Sequence, residues 1–244
     1  MKNFLSLLAL FAVLLISACD DTEEPVQPMP DPELASLSDG LVFHAPFAGN
    51  ASDVAGGLSG AVTGATLTTD RHGVANEAYA FDGIDDLIDY GTGDILVMAN
   101  QTPYTMTAWV KMEDRGDGEN NMIMSKFDDG VNAGWYFAIN RDGRVRSYRH
   151  NVPWSLAGDT AIPYGEYVHI AAAYDGTTLM VYLNGVLDGS VAFGRNNNDR
   201  TTGVLLGGMY RQGEKTPLLK GVVDDVRIYD RVLTQVERGW LATH

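Results

Sequence analysis

Residues 179–187, Leu-Met-Val-Tyr-Leu-Asn-Gly-Val-Leu, set Asn184-Gly185 between two apolar runs. A tight two-residue hairpin needs positive φ at both central positions, and Asn and Gly accept it at least steric cost, so the segment predicts an antiparallel hairpin. The pattern recurs along the chain, with turn dipeptides at Asp129-Gly130, Asp142-Gly143 and Asp175-Gly176 between short apolar runs. In residues 104–112, Tyr104, Met106, Ala108 and Val110 share one face, while Thr105, Thr107, Trp109 and Lys111 share the other. Residues 41–45, 79–81, 87–90, 135–140, 145–148, 167–174, 204–207 and 221–229 read as further strands. Only the end is helical in pattern: Thr234 and Glu237 form a capping box, and Val236 and Trp240 share a face at i, i+4. So many strands without intervening helices predict an all-β fold: a two-sheet antiparallel sandwich or jelly roll with a short C-terminal helix.

The 244 residues, 45% of them hydrophobic, suffice for one large β domain beyond the processing and tether segments. Lys2 precedes a nearly unbroken apolar run over residues 4–16, short for a membrane span and suited to a signal-peptide core. The run ends Ile16-Ser17-Ala18-Cys19, which resembles the bacterial lipobox. Cys19 is the single cysteine of the chain, so no intramolecular disulfide forms, and lipidation of its thiol is the expectation. The chain then divides into a lipoprotein signal peptide (1–18), an acidic, Pro-rich tether (19–38) and a folded domain (39–244). The tether opens Asp20-Asp21-Thr22-Glu23-Glu24 and carries Pro25, Pro28, Pro30 and Pro32, with little to bury. Its acidic start resembles the surface-export signal of some bacterial lipoproteins, with a plain acidic spacer as the other reading. The expected location is the bacterial outer membrane, reached through the lipid anchor alone, with exposure at the surface if the acidic start acts as that export signal.

Removal of residues 1–18 takes Lys2 and no acid, so 17 − 1 = 16 bases stand against 32 acids, a net charge of −16. That balance argues against nucleic acid and anionic membrane surfaces as partners. It suits neutral polymers and cations.

Several segments together carry a family resemblance. They are residues 40–53 (Gly-Leu-Val-Phe-His-Ala-Pro-Phe-Ala-Gly-Asn-Ala-Ser-Asp), 78–88 (Ala-Tyr-Ala-Phe-Asp-Gly-Ile-Asp-Asp-Leu-Ile) and 106–111 (Met-Thr-Ala-Trp-Val-Lys). Residues 169–176 (His-Ile-Ala-Ala-Ala-Tyr-Asp-Gly), the Asn184-Gly185 hairpin and residues 223–233 (Val-Asp-Asp-Val-Arg-Ile-Tyr-Asp-Arg-Val-Leu) follow in order. In order and spacing they resemble the laminin-G-like, concanavalin A-like jelly-roll domains of bacterial surface proteins. Two positions depart from the family pattern: Ala48 replaces an acid in the opening segment, and Tyr167 replaces a Trp before the 168–174 strand.

The resemblance implies one structural Ca²⁺ between the first and last strands, held by carboxylate and carbonyl oxygens. Asp224 has the same two-residue phase as Val226 and Ile228, so it should point with apolar residues and need a partner. It is the leading metal candidate, with Asn50, Asp53 and Asp82 as companions; the other readings are an arginine salt bridge for Asp224 and self-capped turns for Asp53 and Asp82.

A sugar site in a β-sandwich combines an aromatic platform with amides and charged hydrogen-bonding groups. Trp154 lies in the loop-like stretch 150–155, beside Tyr148, Arg149, His150 and Asn151, and these five form the candidate ligand site. A Trp that plugs the sandwich end is the other reading. Residues 113–121 read as a mobile acidic loop, and 194–200 and 211–215 as solvated turns. The Glu-x-Asp-x-x-Glu strand of related laminarinases and the Gln-x-His motif of lyases are both absent, and there are five histidines but no His-x-x-x-His. The expectation is therefore a non-catalytic binding module for a glycan or glycoconjugate. A protein-interaction or adhesion module of the same fold is the alternative, and a cryptic glycan-degrading enzyme ranks below both.

Overall fold

The computed structural model describes residues 37–92, 96–98, 102–150, 155–192 and 202–244. Their backbone forms two antiparallel sheets and one short helix, the predicted sandwich.

The first sheet has eight strands. Along it lie β13 (Val186–Ala192), β12 (Thr178–Leu183), β11 (Val168–Tyr174), β6 (Tyr104–Met112), β17 (Lys220–Tyr229), β4 (Ala78–Asp82) and β3 (Thr66–Thr68). β1 (Leu41–Ala45) also pairs with β17, so the last strand closes on the first. The β12–β13 hairpin turns at Asn184 (φ 48°) and Gly185 (φ 78°), as the Asn-Gly pair predicts.

The second sheet runs β10 (Leu156–Ala161), β9 (Arg144–Arg149), β8 (Ala133–Ile139), β7 (Asn121–Asp128), β14 (Leu205–Leu206), β5 (Leu87–Asp89) and β2 (Ala61–Thr63). A hairpin of β15 (Gly208–Arg211) and β16 (Glu214–Pro217) joins it beside β7.

Alternation builds the core. Met106, Ala108 and Val110 of β6 meet Ile123, Trp135, Phe137 and Val145 of the second sheet in one apolar layer. Trp135 is fully buried there and donates from Nε1 to the Leu96 carbonyl at 3.1 Å. The opposite face of the second sheet carries its own apolar cluster, with Phe127, Tyr136 and Tyr148 at its centre.

Trp109 belongs to the outer face of the first sheet. Its Nε1 donates to the Leu241 carbonyl at 3.1 Å, so the C-terminal segment covers this face. The helix α1 (Gln235–Leu241) starts at the predicted capping box, with Thr234 Oγ1 accepting from Glu237 N and Glu237 Oε2 accepting from Thr234 N. Its buried positions are Glu237 and Leu241, whereas Val236 is 51% exposed, so the packed face lies one residue on from the Val236/Trp240 stripe. Arg231 explains the rotation: its guanidinium holds both Glu237 carboxylate oxygens, at 2.9 and 2.7 Å, and draws that side of the helix inward. No helix among the described residues is long and apolar enough to cross a membrane.

The phase of β17 differs from the sequence expectation. Val223 lies in the core opposite Val110, and Val226 and Ile228 lie in the core too, although simple alternation from 223 would turn them outward. A bulge resolves this: the β17–β6 register shifts between Asp224 and Arg227, and Asp225 takes φ 49°. Asp224 therefore points away from Val226 and Ile228, on the outer face opposite Trp109.

Candidate functional site

Asp224 remains buried on that outer face. Its carboxylate lies 2.6 Å from Nη1 of Arg71, whose guanidinium also sits 5.4 Å over the Trp109 ring and donates to the His244 main-chain oxygen. Burial outweighs the Arg71 attraction and lifts the Asp224 carboxyl to about 6. Asp225 is held from two sides, by His44 Nε2 at 2.8 Å and by a two-pronged Arg227 contact at 2.9 and 3.0 Å, and these partners keep its carboxyl well below the usual range despite burial. His169 is fully buried beside Trp109, and desolvation depresses its imidazole to about 3.

The four metal candidates do not converge. Asp53 Oδ1 accepts from the backbone N–H groups of His44, Ala55 and Gly56, which makes it a turn anchor. Asn50 closes its own turn by accepting from Ser52 N. Asp82 accepts from Ile84 N and lies beside Asp85 and Asp86; among the described residues this is the only group of three His, Cys, Asp or Glu side chains with ligand atoms within 4.8 Å of one another. Asp224 thus has a guanidinium where the resemblance implies Ca²⁺, and a fixed cation at 2.6 Å leaves a poor donor set for a second one.

The aromatic candidates also separate. Tyr148 and Arg149 are neighbours on β9 and face opposite ways. Tyr148 stacks on Tyr136 on the outer face of the second sheet (centroids 5.1 Å, 14°) and donates to Asn132 Oδ1 at 2.9 Å. Arg149 turns inward and is fully buried, its guanidinium 4.3 Å over Tyr174 and 5.7 Å over Tyr104. It is a core residue and not a ligand contact, which corrects its assignment. His150 is half-buried and bonds through Nδ1 to the Asn132 carbonyl. Asn151 and Trp154 lie outside the described residues, as do Cys19 and the 194–200 loop.

A polar concavity lies at one end of the second sheet. A cavity of about 370 Å³ is lined by Asn120, Asn140, Arg141, Arg146 and Ser155, with Glu119 and Asp142 at its border. A small adjoining hollow of about 20 Å³ shares Glu119, Asn140 and Arg141 with it and brings in Tyr164. Tyr164 is 44% exposed, the most open aromatic ring among the described residues.

Local sequence positions each group. Asn140 Oδ1 accepts from the backbone of Asp142 (3.0 Å) and Arg144 (2.9 Å), and Gly143 takes φ 78°, so the β8–β9 turn presents Arg141 outward. The Ile162 N–H donates to the Gly143 carbonyl at 2.7 Å, which ties the Pro163-Tyr164-Gly165 turn to that hairpin. Residues 113–121 are organised by turns rather than left as an open acidic loop: Asp114 accepts from Gly116 N, and Asp117 from Glu119 N. Arg211, in the β15–β16 hairpin, grips both Glu119 oxygens, at 3.3 and 2.8 Å. Arg146 directs Nε to Ser155 Oγ (2.7 Å) and Nη1 to Asn120 Oδ1 (3.2 Å), with its guanidinium 5.8 Å over Tyr136. Burial, together with the negative charges of Asp114 and Asp142, raises the Tyr164 hydroxyl pKa. An open aromatic ring beside amides and guanidinium groups suits a polar ligand with apolar C–H faces.

The sequence reading missed this constellation. The signal was present in Tyr164, an aromatic between Pro163 and Gly165, which meets the same test that drew attention to Trp154.

Comparison with known proteins accords with the architecture. Domain 4 of an extracellular arabinanase from Geobacillus stearothermophilus, determined in complex with arabinotriose, is 24% identical with a TM-score of 0.62, over 83% of this chain and 98% of that one. The binding domain of Paraclostridial Mosquitocidal Protein 1 is 17% identical (TM-score 0.65, 84% of this chain). The Botulinum neurotoxin serotype D binding domain is 15% identical (TM-score 0.63, 86% of this chain). The chain spans about half of each toxin chain, 52% in both cases. At these identities the likeness is one of fold. No curated protein sequence matches. A laminin-G-type family model, described as the concanavalin A-like lectin/glucanases superfamily, matches residues 82–237, more than half of the chain. The chain therefore belongs to the concanavalin A-like lectin/glucanases superfamily.

Proposed function

We propose that the domain is a non-catalytic module that binds a glycan or glycoconjugate in the cleft beside Tyr164. The observation that carries this reading is the open Tyr164 ring in a small hollow that shares Glu119, Asn140 and Arg141 with the adjoining cavity lined by Asn120, Arg146 and Ser155. Sugar rings offer C–H faces for the aromatic and hydroxyls for the amides. The arabinotriose complex of the arabinanase domain supports a sugar ligand for a fold of this kind. Of the two acids at the border, Glu119 is engaged on both oxygens by Arg211, which favours binding over hydrolysis. Anchoring through a lipidated Cys19 would display the cleft at the bacterial outer surface.

A protein-interaction module is the second reading. It rests on Val186, Leu187 and Val236, apolar side chains 70%, 54% and 51% exposed on the β12–β13 hairpin and α1. A glycan array probed with the wild type and Tyr164→Ala separates the two. The first reading expects retained glycans that the variant loses, with an unchanged melting midpoint. Retention of no glycan, with a pull-down partner lost on Leu187→Asp, would replace it by the second.

A further inference from the structure

We infer that the ligand of this cleft is an acidic glycan, whose carboxylate or sulfate is received by Arg146 and Arg141. The inference rests on the proposed glycan-binding reading of the cleft and specifies its ligand class.

Arg146 and Arg141 bring unsatisfied donors to the cavity. A guanidinium carries five N–H groups and accepts nothing. Arg146 directs two of them to neutral acceptors, Ser155 Oγ and Asn120 Oδ1. Its remaining N–H groups have no protein acceptor among the described residues, and the same holds for all of those on Arg141, which forms no ion pair there. Both side chains line the cavity.

Surrounding charges pair differently. Glu119 is matched by Arg211 at 2.8 Å, Asp117 by Arg115 at 2.7 Å and Glu113 by Lys220 at 3.6 Å. Asp142 on the large cavity's border and Asp114 in the adjoining hollow are not engaged by a base in this way, and Arg146 and Arg141 are not engaged by an acid. The cavity is therefore rich in hydrogen-bond donors within a chain of formal net charge −15. One hydroxyl and one amide oxygen position the Arg146 fork before any ligand arrives, and a planar fork with free N–H groups matches a carboxylate or sulfate edge. Neutral hydroxyls would leave those donors with weaker partners. Tyr164 in the adjoining hollow adds a stacking surface for the ring that bears the acid.

The test is calorimetric titration of the full chain with oligogalacturonate, a chondroitin sulfate oligosaccharide and arabinotriose, at low and high salt. Wild type is compared with Arg146→Gln, Arg141→Gln and Tyr164→Ala, all verified as folded by circular dichroism. The expected result is binding of an anionic oligosaccharide that weakens with salt and falls about tenfold or more in Arg146→Gln. Arg141 is an exposed turn residue, so Arg141→Gln should fold and weaken the same titration even if Arg146→Gln disturbs packing on Tyr136. Binding of oligogalacturonate identifies a carboxylate as the anion; binding of the sulfated sugar alone identifies a sulfate. Arabinotriose binding lost only in Tyr164→Ala overturns the acidic-ligand inference and leaves the glycan reading standing. Anionic binding indifferent to both arginine variants also overturns it. Binding of none of the three sugars, together with an empty glycan array, overturns the inference and the reading beneath it.

Discussion

The Arg71 guanidinium meets the buried Asp224 carboxylate at 2.6 Å, on the sheet face that the C-terminal segment covers. This pair stands where the family resemblance implies a cation, and it joins Arg71 to the last strand. Arg71→Ala leaves the carboxylate buried without a counter-charge and should cost about 3–5 kcal/mol at neutral pH. Urea denaturation measures it. EDTA should leave the wild-type melting midpoint where it is, and an EDTA-sensitive midpoint would contradict the guanidinium's role.

The same face sets a pH dependence. Asp224, raised from 3.8 to about 6, takes up its proton in the folded state first, so it favours folding as pH falls from 6 towards 4. His169, lowered from 6.5 to about 3, takes up its proton in the unfolded chain first, so it disfavours folding over that range. Each slope is at most about 1.4 kcal/mol per pH unit, and the two oppose. His169→Gln should therefore become relatively more stable, and Asp224→Asn relatively less stable, between pH 6 and pH 4 than the wild type. Urea midpoints across that window decide the signs.

Arg149 gives a third expectation. It is fully buried, and its Nε and Nη1 have no hydrogen-bond partner among the described residues. Its stabilisation comes from the Tyr174 and Tyr104 faces and from one bond to the Met98 carbonyl. Arg149→Met, which keeps volume and removes the buried charge, should be neutral or stabilising, whereas Arg149→Ala should cost several kcal/mol, roughly 3. Neither should alter glycan binding. A loss of binding in a folded Arg149→Met would restore this residue to the ligand site.

Helix α1 yields a smaller effect. Thr234→Ala removes the acceptor for Glu237 N and should cost about 1 kcal/mol. Glu237→Ala should cost more, because it also leaves Arg231 without the carboxylate that turns the helix.

Strand periodicity made the architecture legible, from the alternation in Tyr104–Met112 to the Asn184-Gly185 turn. The pairing of β1 with β17 also followed from the family pattern. Asp224 shows where that legibility ended. Two-residue phase placed it with Val226 and Ile228, but one extra residue at Asp225 reversed the phase, and no local composition marks a bulge between two aspartates. The Arg71 partner was hidden for another reason: 153 residues separate it from Asp224 in the chain. The cleft gathers side chains from the β6–β7 loop, the β8–β9 turn, β9, β10 and the Pro163-Tyr164-Gly165 turn, so only the register of the second sheet brings them together.

Hydrogen–deuterium exchange with a glycan retained on the array tests most directly whether sugar binds at the Tyr164 cleft. Protection should concentrate in residues 113–121, 140–146 and 155–165, and vanish in Tyr164→Ala. Protection centred on the β12–β13 hairpin and α1, or a chain that retains no glycan at all, would contradict the account.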